Sequence, residues 1–198
     1  GPTGAGKTCA LRALERLGGL VLDCDAVYHE LLRTDTELRG AIAGAFGDVF
    51  AEDGSLDRQK LGTVVFGHPA ALETLNAIIY DRLPRELRRR MDSSDAPVVG
   101  IDAINLIESG LCDMGRRTVA VTAPPEVRVR RIMARDDITE QYARLRISAQ
   151  KPDEFYRGKC DLELNNAADT PEKFQREAKK FFERLVEALR EEKRHGNK

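Results

Sequence analysis

No apolar run in this chain approaches the roughly 20 residues that a membrane-spanning helix requires, and no signal-peptide pattern is visible. The four cysteines, Cys9, Cys24, Cys112 and Cys160, include no C-x-x-C pair, which favours reduced thiols in a cytoplasmic protein over a metal centre or a disulfide framework. His29 and His68 lack metal-ligand spacing and read as surface or capping residues. There is no excess of one charge: the formal net charge is −1, which argues against a general nucleic-acid binder. Internal repeats and low-complexity linkers are also missing. What is present suits a globular protein. Hydrophobic residues make up 41% and charged residues 33% of 198 residues, enough for one core, with or without a small lid.

The most informative stretch is the first. Gly1-Pro2-Thr3-Gly4-Ala5-Gly6-Lys7-Thr8 satisfies G-x-x-x-x-G-K-S/T, the loop that cradles phosphates. Its glycines permit positive φ and let successive N–H groups converge on one point. Lys7 is placed to reach the outer phosphates of a nucleoside triphosphate, and the Thr8 hydroxyl to ligate Mg²⁺. Ala10, Leu11, Leu14 and Leu17 recur at helical spacing, so a helix over about 7–17 would point its positive N-terminal end at the same place. Gly18-Gly19 ends it. Such a loop normally follows a buried strand. The chain is therefore expected to be a fragment of a longer protein, poorly stable and weakly active by itself.

Short apolar runs at 19–23, 97–102, 118–122 and 161–164 read as strands separated by helical stretches, the pattern of parallel β/α construction. Residues 26–91 hold several predicted helices and no convincing strand, and read as a helical substrate-binding insertion. His68-Pro69 starts a long helix in which Pro84 predicts a kink. Thr170 caps the last helix, with Pro171 in its first turn. Phe174, Ala178, Phe181, Leu185 and Leu189 give that helix one apolar stripe, and 191–198 is expected to fray. The whole chain reads as one domain, with 125–150 as a lid region.

Several further residues have chemical potential. Asp23-Cys24-Asp25 ends the first strand, at the sheet edge where ligands bind in open α/β folds. These carboxylates could orient an acceptor hydroxyl, take its proton or hold Mg²⁺ through water; they could equally cap the next helix. Asp102 ends the second strand and could hold a metal-bound water or serve as a turn residue. Arg128, Arg130, Arg131, Arg135, Arg144 and Arg146 crowd the lid region. Arg131 and Arg135 share a helical face, where at least one is expected to contact phosphate.

Taken in order, these pieces resemble the dephospho-coenzyme A kinase family over residues 1–182. The loop at 1–8 is followed by Val21-Leu22-Asp23-Cys24-Asp25-Ala26. Next come Phe46-Gly47, Asp53-Gly54-Ser55-Leu56-Asp57-Arg58, Leu61 and Val65-Phe66. Leu75-Asn76, Arg131-x-x-x-Arg135, Gln150 and the Asp161-to-Asn166 segment complete the match. The resemblance implies a P-loop kinase fold, α/β, with a parallel sheet of order 2-3-1-4-5, here without its first strand. It further implies ATP-dependent phosphorylation of the ribose 3′-hydroxyl of dephospho-coenzyme A, with ATP and Mg²⁺ as cofactors and a monomer or weak oligomer as the working form. Asp25 would face that hydroxyl. Arg135 would contact the triphosphate, Asn166 would lie near the adenine, and Arg58 would shape the acceptor site. Three departures stand out. Tyr80-Asp81 replaces a usual His-Pro, so a phenol that carries no charge near pH 7 stands at an acceptor-site position. Ile104-Asn105-Leu106-Ile107-Glu108 lacks a usual proline, and Ala168 replaces a glycine. A kinase for another small acceptor, such as a nucleoside monophosphate, and a non-catalytic nucleotide-binding module are the alternatives.

Overall fold

The computed structural model describes residues 1–51, 53–103 and 105–196. Ile104, the first residue of one departing segment, lies outside them, as do Asn197 and Lys198. The chain divides into two compact units. One comprises Gly1–Val21, Ala96–Gly100 and the chain from Cys112 onward; the other comprises Leu22–Asp95 and Ile101–Leu111.

Four strands occur where the apolar runs predict them: β1 (Leu20–Asp23), β2 (Val99–Asp102), β3 (Val119–Thr122) and β4 (Leu162–Asn165). Among the described residues they pair as two two-stranded sheets, β1 with β2 and β3 with β4. The β3–β4 ladder is parallel, in a register running from Val119 opposite Leu162 to Thr122 opposite Asn165.

In the first unit, α1 (Lys7–Glu15) packs on α9 (Pro171–Gly196). Ala10, Ala13 and Leu14 of α1 meet Phe174, Ala178 and Phe182 of α9, and Val121 and Leu164 of the β3–β4 pair complete this core. Small residues on α1 let the aromatic side of α9 approach closely. Complete burial of Phe174 contributes about 2 kcal/mol. The predicted cap is present, with Lys173 N–H donating to Thr170 Oγ1 at 3.2 Å. The helix continues to Gly196, past the point where fraying was expected.

Helices α6 (Pro125–Asp136) and α7 (Glu140–Ser148) pair through Val129, Ile132 and Ala143. Between them Asp137 takes φ +50°, a left-handed conformation that Asp tolerates better than most residues. Thr139 caps α7, and the short α8 (Asp153–Lys159) follows.

The second unit holds α2 (Cys24–Thr34), α3 (Thr36–Phe46), α4 (Arg58–Val65) and α5 (Pro69–Asp92). The helical reading of 26–91 is matched by these four, with one isolated antiparallel bridge, Phe50 to Leu56. Three of the helices begin with the same device: Asp23, Asp35 and Asp57 each accept two backbone N–H groups through Oδ1. Each cap is worth about 1 kcal/mol. The α5 helix runs on through Pro84. Leu83 and Leu87, on either side of the proline, are buried, so packing offsets the hydrogen bond that proline removes.

Candidate active site

The phosphate loop has the backbone its glycines predict. Gly4 and Gly6 sit at φ +79° and +102°, and Gly6 is the N-cap of α1. No side chain caps this helix and its first turn carries no acid, which leaves the positive helix end for an anion. The loop is tightly enclosed. A Cβ on Gly1 would stand 2.0 Å from the Val121 carbonyl oxygen, and one on Gly6 2.3 Å from Asn166 Nδ2. Lys7 folds back over the loop, Nζ donating to Gly1 O at 2.7 Å and to Pro2 O at 3.4 Å. Its charge therefore hangs over the loop rather than along the helix. Thr8 is exposed in the first turn of α1.

Two side-chain braces hold the loop from behind. Arg128, 3% exposed, donates through Nε to Thr3 O at 2.9 Å and through Nη2 to Gln150 Oε1 at 3.3 Å. Its Nη1 lies 3.4 Å from Asp153 Oδ1. Gln150 closes the ring: Thr3 N–H donates to its Oε1, and its Nε2 donates to Thr3 Oγ1, both at 2.9 Å. In the second brace, Arg131 donates to Gly4 O, to Asn166 Oδ1 and to Ala168 O, while Asn166 Nδ2 donates to Ala5 O at 2.8 Å. Burial lowers the pKa of both arginines, opposed at Arg128 by Asp153; guanidinium groups stay charged even so.

Arg135 is held differently. It forks onto Asp136, with Nε and Nη2 donating at 2.6 and 2.8 Å, and Arg146 Nη1 donates to the same carboxylate at 2.5 Å. These arginines, Arg135 foremost, hold Asp136 at a pKa of about 2. The expected phosphate-facing residues thus separate. Arg131 and Asn166 are built into the loop's support, whereas Arg135 is exposed at the end of α6. Arg128 and Asp153 were missed as site residues. Among six arginines close in sequence, only the tertiary partner distinguishes the buried one.

In the second unit, Asp23-Cys24-Asp25 divides its tasks. Asp23 Oδ1 accepts from Asp25 N–H at 2.9 Å and Ala26 N–H at 3.2 Å, so Asp23 is the cap. Asp25 is exposed in the first turn of α2. Between them Cys24 is buried, and its thiol pKa rises to about 12, through loss of solvent first and then the charges of Asp102, Asp23 and Asp25. Burial and the surrounding carboxylates thus favour the neutral thiol, and Asp102 is half-buried at the end of β2. Arg58 opens α4, its Nη2 lying 3.4 and 3.3 Å from the two ring nitrogens of His29. Tyr80 lies 40% exposed on α5; among the described residues no hydrogen bond or ring contact joins it to Asp25 or Arg58.

A family model for dephospho-CoA kinase matches residues 1–172. The chain belongs to the dephospho-CoA kinase family. It is 36% identical over 188 residues to a dephospho-CoA kinase of Mycolicibacterium paratuberculosis, covering 94% of this chain and 46% of that relative. The chain thus spans about half the length of that protein. A dephospho-CoA kinase of Streptomyces avermitilis is 36% identical over 168 residues, with 84% of this chain and 82% of the relative covered. In structure, the chain is similar to a Thermus thermophilus protein with a TM-score of 0.71 and 30% identity, covering 93% and 94% of the two chains. A Campylobacter jejuni dephospho-CoA kinase, at TM-score 0.66 and 22% identity over 93% of each chain, shares the fold. Among the described residues no helix is long and apolar enough to cross a membrane.

Proposed function

We propose that this P-loop kinase domain transfers the γ-phosphoryl group of ATP to the ribose 3′-hydroxyl of dephospho-coenzyme A, giving coenzyme A and ADP. The observation that carries the reading is the division of labour between Asp23 and Asp25. Asp23 spends its oxygen on two helix amides, so the Asp25 carboxylate serves as the acceptor-facing base. The 3′-oxygen attacks the γ-phosphorus, the bond from that phosphorus to the β,γ-bridging oxygen breaks, and the hydroxyl proton passes to Asp25.

The loop amides, Lys7 and the N-terminal end of α1 hold the donor phosphates. Arg135 exchanges Asp136 for phosphate oxygens as negative charge spreads over them. Arg131 and Asn166 keep Gly4 and Ala5 in the shape that the phosphates need, with Asn166 on the adenine side. Arg58 and Tyr80 belong to the acceptor side. For Mg²⁺ the exposed Thr8 hydroxyl is a hard oxygen donor of the right class, with Asp102 acting through water. Mg²⁺ keeps most of its shell as water and substrate phosphate, so so sparse a protein contribution fits it. When bound, the ion would supply charge neutralisation at the phosphates. Four free thiols suit a reducing cytoplasm.

The test is ADP release with a panel of acceptors. Dephospho-coenzyme A should support turnover and yield coenzyme A, with nucleoside monophosphates at least about a hundredfold poorer in kcat/KM. Preference for a nucleoside monophosphate would assign another acceptor. ATP binding without turnover on any acceptor would make the domain a non-catalytic module.

A further inference from the structure

Arg135 and Asp136 are neighbours in sequence at the end of α6, yet their side chains meet through a two-pronged contact. Successive residues on a helix point to different faces, so Arg135 reaches this partner by bending around the helix end. The face of α6 that carries Arg135 leads to the phosphate loop: Arg131, one turn earlier, donates to Gly4 O. Arg135 is thus drawn aside, with 58% of its side chain exposed. The fork that suits phosphate oxygens is filled by a carboxylate. A second cation shares that carboxylate. Arg146, on α7, donates through Nη1 to Asp136 Oδ2 at 2.5 Å, the oxygen that Arg135 Nη2 also uses. The nearby acids Glu126 and Glu140 are engaged by Arg144 instead. Ala143 and Ile147 pack α7 against Val129 and Ile132 of α6, which keeps Arg146 beside Asp136 whatever Arg135 does. The Asp136 side chain is only 22% exposed and ends α6, where the negative end of the helix disfavours an acid. It therefore needs a cation, and it has two.

We infer that Arg146 is a positioning residue for phosphoryl transfer: it retains Asp136 when Arg135 turns to the triphosphate, and so sets how readily Arg135 is released. The inference rests on the reading above in which Arg135 contacts phosphate. Release is an exchange of partners in which no charge is stranded: Asp136 keeps Arg146, and Arg135 takes phosphate oxygens. Without Arg146, both Asp136 oxygens belong to Arg135, and letting it go would leave a bare carboxylate at the helix end. Arg135 then stays on Asp136. The loss falls on transition-state stabilisation, while the loop amides and Lys7 still bind ATP.

Steady-state ADP release with dephospho-coenzyme A as acceptor tests this. Wild type and Arg135→Ala are measured first, and Arg135→Ala should lower kcat at least about a hundredfold. No turnover by the wild type, or an unchanged kcat in Arg135→Ala, defeats the parent reading and this inference with it. Arg146→Ala should lower kcat about tenfold with KM for ATP within about threefold, and Arg146→Lys should stay within about threefold of wild type in kcat. Adding Asp136→Asn to Arg146→Ala should restore kcat to within about threefold of wild type, because a neutral amide does not hold Arg135 as an anion does. In the Arg135→Ala background, Arg146→Ala should have no further effect, whereas a merely structural Arg146 would lower activity there too. An unchanged kcat in Arg146→Ala overturns the inference. So does a failure of Asp136→Asn to restore it, or a further fall in the Arg135→Ala background.

Discussion

Arg131 donates to the side-chain oxygen of Asn166 at 2.9 Å, and the same amide donates from its nitrogen to Ala5 O at 2.8 Å. One amide thus couples helix α6 to the phosphate loop. Its two ends need different partners, so Asn166→Asp should be worse than its size suggests, because it removes the donor and places an acceptor against Ala5 O. A loss of about 1–3 kcal/mol in stability and a KM for ATP raised about tenfold are expected. Chemical denaturation and an ATP titration check both; an unchanged KM would separate Asn166 from the nucleotide site.

Among the described residues Arg128 is the buried cation, and Asp153 and Gln150 are its side-chain partners. Arg128→Met should cost about 3–5 kcal/mol, because it leaves a partly buried carboxylate uncompensated. Adding Asp153→Asn should restore part of that loss, as a double-mutant cycle by denaturation would show. Strict additivity would mean that the two side chains do not interact.

Gly6 is limited twice, by φ +102° and by the 2.3 Å approach of its absent Cβ to Asn166 Nδ2. Gly6→Ala should therefore reduce ATP affinity at least about tenfold and lower stability by about 1–3 kcal/mol. Gly40→Ala, in open space on α3, is the control. It should be neutral or mildly stabilising, since alanine favours helix.

Acid should act through Asp136 and Glu86. Arg135 first and then Arg146 hold Asp136 at about 2, and Arg89 first and then Arg90 hold Glu86 at about 2. Both folded-state values lie below the unfolded ones, near 4. Their stabilisation is therefore complete above about pH 4 and is lost as pH falls through about 2. Urea midpoints measured from pH 5 to pH 2 should fall, and Asp136→Asn with Glu86→Gln should flatten that fall. An identical slope in the double variant would contradict the assignment.

Much of this was legible in the sequence because it is local. Phosphate-loop glycines, apolar runs at strand spacing, and Thr170-Pro171 each act within a few residues, and the strands lie within two residues of the predicted runs. The capping alternative for Asp23-Cys24-Asp25 was stated but could not be divided between the two acids, because which one turns toward the amides is a matter of backbone angle. Arg128, Arg131 and Arg135 look alike in sequence. Their partners, Thr3 with Gln150, Asn166 with Ala168, and Asp136, come mostly from other segments. Pro84 does not end its helix: α5 continues through it, with Leu83 and Leu87 buried on either side. The length of α9 beyond Glu191 was likewise hidden, since charged residues support helix and tail alike.

The most direct test of the central claim is single-turnover phosphoryl transfer to dephospho-coenzyme A by wild type and Asp25→Asn, with ATP affinity measured in parallel. The account predicts a fall in transfer rate of about 10²–10⁴ with ATP affinity within about threefold. Transfer at the wild-type rate by Asp25→Asn would contradict it.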